Sequence, residues 1–352
     1  MSNEATVANG LQCPLAPASD CVLLGHGSGG RLSCELLRDV FLPAFHNPTL
    51  SRLDDQAIVT VNGSRLAFTT DSFVVQPLFF PGGNIGSLAV HGTINDLAVG
   101  GAQPLFLSAA FILEEGLPLD VLRTVVHSLQ HAAEEAGVEV VTGDTKVVER
   151  GKGDGLFINT SGLGVVPPGV QLSCDQARPG DCVLLSGPIG EHGIAILAQR
   201  EGLQLRGALE SDSAALHTLV ASMLEVGNGM RCMRDPTRGG VASALNEIAV
   251  QSRVGIVLDE RSIPMREEVK GACELLGLDP LHVASEGKLL AIVAAASAEP
   301  LLDAMRRHRL GRQAQIIGKV TDSHPGLVAM RTLIGPTRIV DMPSGDLLPR
   351  IC

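Results

Sequence analysis

Leu53-Asp-Asp-Gln-Ala-Ile-Val-Thr-Val-Asn-Gly-Ser-Arg-Leu-Ala-Phe-Thr-Thr-Asp71 reads as two β-like runs joined at Asn62-Gly63. Asn-Gly is the strongest short hairpin signal, because both central residues of a tight type I′ turn need positive φ. With Asn62 and Gly63 in the turn, Val61 faces Ser64, and the ladder carried back to its open end sets Asp54 against Asp71. Asp54, Asp55 and Asp71 would then gather at one place, where like charges repel unless a cation neutralises them.

Upstream of the hairpin, Cys21-Val-Leu-Leu24 reads as a short strand, followed by glycine-rich His26-Gly-Ser-Gly-Gly-Arg31. A helix is expected over 32–44, with Leu32, Leu36, Val40 and Phe41 on one face. Gly25-His-Gly-Ser-Gly-Gly30 matches G-x-G-x-x-G between a strand and a helix, which raises a dinucleotide fold. That fold needs its acid at the end of the second strand, whereas Asp54 and Asp55 precede theirs and the next run is an antiparallel hairpin. The segment contains no phosphate-loop lysine motif. Its glycines suit phosphate contact at a helix N-terminus or simply a tight turn.

Downstream, helical spacing covers 86–99 and 119–136, the latter stopped by Gly137, and a strand over 138–141 leads into Gly143-Asp-Thr-Lys146. Pro167-Pro168-Gly169 is the best linker candidate. Beyond it a new alternation begins, with strands at 182–185, 255–258 and 289–294 and helices at 191–200, 213–226, 265–276 and 299–309. Asp235-Pro-Thr-Arg-Gly-Gly240 opens a further helix running to about 252. The expected organisation is α/β (α+β) in two domains, with a leader over 1–20, an N-terminal domain over 21–167, a C-terminal domain over 168–341 and a flexible tail over 342–352.

The chemistry-bearing positions have two readings each. Aspartates scattered over element ends (Asp55, Asp71, Asp96, Asp144, Asp235) are what a hard-cation site with oxygen ligands requires, although N-caps and turns account for any single one. Lys146 and Glu286 sit in short polar breaks and could be plain turn charges. His91, among apolar helix neighbours, reads as a core histidine.

Composition narrows the function classes. Lys+Arg 27 against Asp+Glu 38 gives a net charge of −11, and the chain has Phe 9 but no Tyr or Trp. Neither the basic field of a duplex binder nor the aromatic platform of a single-strand binder is available, so nucleic acid is not an expected partner. The start MSNEATVANG has no basic and apolar export signal, and the apolar run from Leu289 is far too short to span a bilayer. With no C-x-x-C pair among its cysteines, the chain reads as a protein of a reducing cytoplasm. Cys352 closes the sequence after a segment with two prolines and a glycine. Eleven such residues can reach about 36 Å, so this tail could carry its thiol into another site.

Taken in order, His26-Gly-Ser-Gly-Gly-Arg31, Thr69-Thr-Asp-Ser-Phe-Val-Val75, Phe80-Pro-Gly-Gly83, Asn95-Asp-Leu-Ala98, Gly143-Asp-Thr-Lys-Val-Val148, Asp235-Pro-Thr-Arg-Gly-Gly240 and Pro349-Arg-Ile-Cys352 carry a resemblance. The chain resembles the HypE family of hydrogenase maturation proteins, from about residue 21 to the last. This family lies within the superfamily of aminoimidazole ribonucleotide synthetase, selenophosphate synthetase and thiamine-monophosphate kinase.

The resemblance implies a two-domain fold whose N-terminal domains pair into a β-barrel across a homodimer, with ATP and Mg2+ as cofactors. It implies that a carbamoyltransferase, HypF, loads the sulfur of Cys352. The chain then dehydrates the S-carboxamide to a thiocyanate, and the cyanide passes to iron held by a HypC-HypD complex, in the service of [NiFe] hydrogenase. Asp55, Asp71, Asp96, Asp144 and Asp235 become metal candidates, with Asp54 as an addition. Gly27, Gly29, Gly30, Asn95, Gly143, Asp144, Thr145 and Lys146 become nucleotide-binding candidates. Glu286 and Lys146 join Cys352 as catalytic candidates, their roles as base and charge stabiliser interchangeable. Two departures stand out: Gln56 in Asp54-Asp-Gln-Ala57, where Ala is more usual, and Asn84, where an Asp is common and to which no role is given.

Overall fold

A computed structural model describes residues 20–203, 207–345, 348 and 350–352. The expected leader lies outside the described residues except for Asp20. The hairpin forms as its turn chemistry demands: β1 (Ala57–Val61) and β2 (Ser64–Phe73) pair with Val61 opposite Ser64, and Asn62 (φ 51) and Gly63 (φ 83) both occupy the left-handed region. Helix α2 (Ile85–Val99) follows; α1 is Arg31–Leu36, which widens into a π turn over Leu37–Phe41. Then come β3 (Gln103–Glu114), α3 (Leu119–Ala136), β4 (Glu139–Val148) and β5 (Leu156–Val165).

These strands make one five-stranded sheet in the order β1-β2-β5-β3-β4, parallel only between β3 and β4. Helix α2 is buried along most of its length and packs on this sheet and on α3. Close approach is possible because of its glycines: a Cβ on Gly86 would lie 2.3 Å from the Val125 carbonyl oxygen. Asn84 caps the helix, its Oδ1 accepting from the N–H of Gly86 at 2.8 Å.

The second half builds a mixed seven-stranded sheet from β6 (Cys182–Leu185), β7 (Met230–Arg234), β8 (Gly255–Asp259), β9 (Leu290–Val293), β10 (Gln315–Thr321), β11 (Val328–Arg331) and β12 (Thr337–Ile339). Their order is β12-β11-β8-β10-β6-β9-β7, with only β8 and β11 parallel. Its helices are α4 (Glu191–Glu201), α5 (His217–Leu224), α6 (Gly240–Ser252), α7 (Glu267–Leu276) and α8 (Ala298–Arg307). The strands β6 and β9 are buried on both faces, which is why they read as unbroken apolar runs.

Three local expectations are corrected. Residues 21–24 pair with no strand among the described residues; Val22 to Leu24 are exposed and Leu24–Gly27 forms a 3-10 turn. The ladder between β1 and β2 ends at Ala57 opposite Phe68, so Asp54 does not face Asp71. Leu53, in the left-handed region at φ 51, turns the chain away just before it. Finally, β4 does not stop before Gly143-Asp-Thr-Lys146 but runs through it, because a Cβ on Gly143 would meet the Ala109 carbonyl oxygen at 2.1 Å and glycine alone lets the strands close.

Candidate active site

Two elements and two loops bring acids together. Asp55 precedes β1, Asp96 projects from α2 and Asp235 follows β7; one carboxylate oxygen of each lies within 4.8 Å of the others. Asp71, near the end of β2, adjoins them, accepting from Thr93 Oγ1 at 3.1 Å. Thr69 Oγ1 lies 2.7 Å from Asp96 Oδ2. Asp55 Oδ1 meets Arg234 Nη2 at 2.5 Å, while Asp55 Oδ2 is buried with no partner among the described residues. Asp54 is held elsewhere, by Ser173 Oγ at 3.0 Å and the Cys174 N–H at 2.9 Å.

Burial and mutual repulsion set the electrostatics. Burial first, then Asp55, pushes Asp235 up to about 8; burial also raises Asp55 to about 6, against the pull of Arg234. Asp96 is held well above the usual carboxylate range by burial and by Asp71. An orphaned buried oxygen amid desolvated carboxylates is what a hard divalent cation relieves, and the all-oxygen donor set suits Mg2+. The residues therefore fit the metal.

Glu286 is 1% exposed and its Oε1 has no hydrogen-bond partner among the described residues. Burial, then Asp235, Asp212 and Asp71, holds its carboxyl well above the usual range, with Arg238 opposing. Its backbone is fixed from both sides: the N–H donates to Asp212 Oδ1 at 3.0 Å, and its carbonyl accepts from Asn95 Nδ2 at 3.0 Å. Asp212 is itself bound by the buried Lys288 at 2.9 Å, and Lys288 also reaches Glu191 at 3.2 Å. Asn95, expected at the nucleotide, thus spends its amide on structure, with Oδ1 accepting from the Leu216 N–H at 2.8 Å.

Cys352 lies in a cavity of about 160 Å³ that Gly27, Ser28 and Arg238 also line. Burial pushes its thiol up to about 12; Arg238 opposes this, while Glu286, Asp71 and Asp235 add to it. Gly29 (φ +74) and Gly30 are required by contact: their Cβ atoms would lie 2.6 Å from the Arg238 carbonyl oxygen and 2.4 Å from that of Pro343. The Gly29 N–H donates to Ser33 Oγ at 2.9 Å.

Asp144, Thr145 and Lys146 stand apart. All three are exposed on β4, and Lys146 Nζ pairs with Asp144 at 2.6 Å. Within one chain Asp144 is not a member of the acid cluster. Sequence reasoning missed Arg234, Asp212, Lys288 and Arg238. Arg238 stands in the quoted Asp235-Pro-Thr-Arg-Gly-Gly240 and Lys288 lies two residues after Glu286, whereas Asp212 joins the site only through contacts more than seventy residues away.

The chain matches the models for the AIR synthase related protein N-terminal domain over residues 53–166 and C-terminal domain over 178–329. It is 58% identical to the carbamoyl dehydratase HypE of Cupriavidus necator, over 99% of this chain and 100% of that one. Among solved structures, the hydrogenase maturation protein HypE in complex with ATP aligns with TM-score 0.80 at 49% identity, covering 94% of this chain and 100% of that chain. The HypE-HypF complex aligns with TM-score 0.84 at 49% identity, over 88% and 99%.

Proposed function

The chain belongs to the HypE family, and on that premise we propose that it is an ATP-dependent carbamoyl dehydratase converting an S-carboxamide on Cys352 to a thiocyanate for [NiFe] hydrogenase maturation. The observation that carries this reading is the position of Cys352 in the cavity that Gly27, Ser28 and Arg238 also line, near enough to Glu286, Asp71 and Asp235 for their charges to act on its thiol. Asp55, Asp96 and Asp235, with Asp71 adjoining, would hold Mg2+, which would offset the charge of a bound ATP, and ATP would supply the phosphoryl group that makes the carboxamide oxygen a leaving group.

The chain's own residues do the rest. The carboxamide oxygen departs with phosphate, so its nitrogen must give up both protons. Glu286 is the group placed to take them, since Lys146 lies away from the cavity in the single chain. Burial raises its pKa most and Asp235, Asp212 and Asp71 add to the rise, so neutralising Asp235 and Asp71 moves Glu286 part of the way back toward the carboxylate a base requires. Asp212 and Asn95 fix its backbone, and burial keeps water from the thiocyanate.

The inward thiol is a poor nucleophile, because burial holds it protonated at neutral pH. Carbamoylation therefore belongs to an outward tail, presented to a carbamoyltransferase such as the HypF that binds the solved relative. A HypC-HypD complex is the proposed cyanide acceptor. The outer edge of β4, which pairs with no further strand among the described residues and exposes Val140, Val141 and Val147, is the proposed seam of a homodimer in which two N-terminal sheets close a barrel. Asp144 and Lys146 would lie at that seam. No helix among the described residues is long and apolar enough to cross a membrane.

The test is intact-mass analysis of the chain carrying carbamoylated Cys352. Adding Mg-ATP is expected to remove one water and release one phosphate. An unchanged mass, with the same outcome for Glu286→Gln, would overturn the reading.

A further inference from the structure

Residues 350–352 enter the cavity as an added strand. The Val74 N–H donates to the Cys352 main-chain oxygen at 3.0 Å, and the Gln76 N–H donates to the Arg350 carbonyl at 3.2 Å, an antiparallel pairing that prolongs β2. Two side chains of α4 complete the capture. Arg200 Nη2 donates to the Arg350 carbonyl at 2.8 Å and to that of Gln76 at 2.6 Å, tying the two segments together. His192 is fully buried, and its Nε2 donates to the Ile351 carbonyl at 2.8 Å. Nδ1 of the same ring faces Ser211 Oγ at 2.7 Å, and that oxygen accepts from the Ser213 N–H, so the hydroxyl proton points at Nδ1 and fixes the tautomer with Nε2 protonated.

Side chains add selectivity. Ile351 is 3% exposed and packs with Phe73, Val75 and Ile196. Arg350 pairs with Asp154, donates Nε to the Val74 carbonyl at 3.0 Å and lies over the Phe157 ring, 5.8 Å from its centroid. Among the described residues, no hydrogen bond of this docking involves the sulfur of Cys352.

We infer that Val74–Gln76, His192, Arg200 and Asp154 form a peptide-binding groove that reads Arg-Ile-Cys through its main chain and its arginine, and that a separate peptide of this sequence can occupy it. The mode is strand addition, in which main-chain hydrogen bonds supply affinity and alternate side-chain pockets supply specificity. His192 and Arg200 are positioning residues: they set where the sulfur lies and touch no reacting atom. Because the sulfur is not gripped, thiol, carboxamide and thiocyanate forms all dock alike. The groove rests on the proposed function only for its purpose; its occupancy needs neither ATP nor carbamoylation.

The test follows alkylation of Cys352 by iodoacetamide in the full chain, read by peptide mapping so that Cys21 and Cys34 are scored separately. A decapeptide with the sequence of residues 343–352 and serine in place of the cysteine is expected to raise the Cys352 rate about tenfold, ~1.4 kcal/mol of displaced docking. The same peptide with glutamate in place of arginine is expected to do nothing. Arg200→Met should raise the rate without peptide. His192→Gln, whose amide can still donate, should stay near wild type while His192→Leu does not. Wild-type rates in Arg200→Met and His192→Leu, or equal competition by both peptides, would overturn the groove. Dehydration that survives alongside such a result would leave the proposed function standing, and competition without dehydration would leave the groove standing alone.

Discussion

The acid cluster at Asp55, Asp96 and Asp235 and the Gly143–Lys146 motif both read from sequence as parts of one charged site, yet the single chain treats them in opposite ways. The first is assembled from distant segments, desolvated and internally repelling. The second is solvated on an edge strand and has already satisfied its own charges. Repulsion kept out of water, and relieved only in part by Arg234 at Asp55 and by the Thr93 and Thr69 hydroxyls, is what a bound cation offsets. An exposed Lys-Asp pair stores almost nothing. On the function proposed above, it joins a site only through another surface that covers β4.

The largest effect that would sharpen this contrast is on turnover. Glu286→Gln should lower dehydration of carbamoylated Cys352 by ~10²- to 10⁴-fold, measured as single-turnover phosphate release, with little change in Tm. Lys146→Met is expected to impair turnover only under conditions where the chain is dimeric by sedimentation. Equal impairment of a monomeric sample would break the contrast.

A second effect is on stability. Asp235 and Asp55 titrate near 8 and 6 in the fold, above the ordinary carboxylate value. Groups raised on folding contribute stability that is complete below about pH 4 and is lost as pH climbs through their folded values. Chelator-treated protein should therefore lose on the order of a few kcal/mol between pH 5 and pH 8.5. Mg2+ should restore more at the higher pH, and Asp235→Asn should flatten the slope. Thermal melts across that range check it; a Tm rising toward pH 8.5 in chelator would contradict the cluster's electrostatics.

Smaller effects follow from packing. Gly143→Ala should cost about 1–3 kcal/mol, because the new Cβ collides with the Ala109 carbonyl and parts β3 from β4. If this glycine served only a phosphate, the melt in the absence of nucleotide would not move. Asn84→Ala, removing the cap of α2, should cost about 1 kcal/mol by urea denaturation.

What could be read in advance follows the range of the interaction. The register at Val61 and Ser64 was legible because two adjacent residues dictate it. Extrapolating that ladder to Asp54 failed because Leu53 leaves the strand and Ser173, far away in sequence, captures the carboxylate. The strand expected over 138–141 runs on through Gly143-Asp-Thr-Lys146, because the glycine there permits the close pairing. Asn84 had a local signal, a capping residue directly before a helix, hidden behind the comparison with an expected Asp. His192 and Arg200 had none, since an ordinary helix carries them and only the fold places the tail beside them. The acids of the cluster were legible as motifs, while their separation from Asp144 was a matter of tertiary structure alone.

The claim that a chain's Cys352 reacts in its own cavity has a direct test. A variant with an intact site but Cys352→Ser is mixed with a carbamoylated Glu286→Gln variant under conditions that exchange subunits, Mg-ATP is added and intact masses are recorded. The account predicts that the carbamoylated wild-type chain loses water while the mixture does not. Dehydration in the mixture, or none in the wild type, would contradict it.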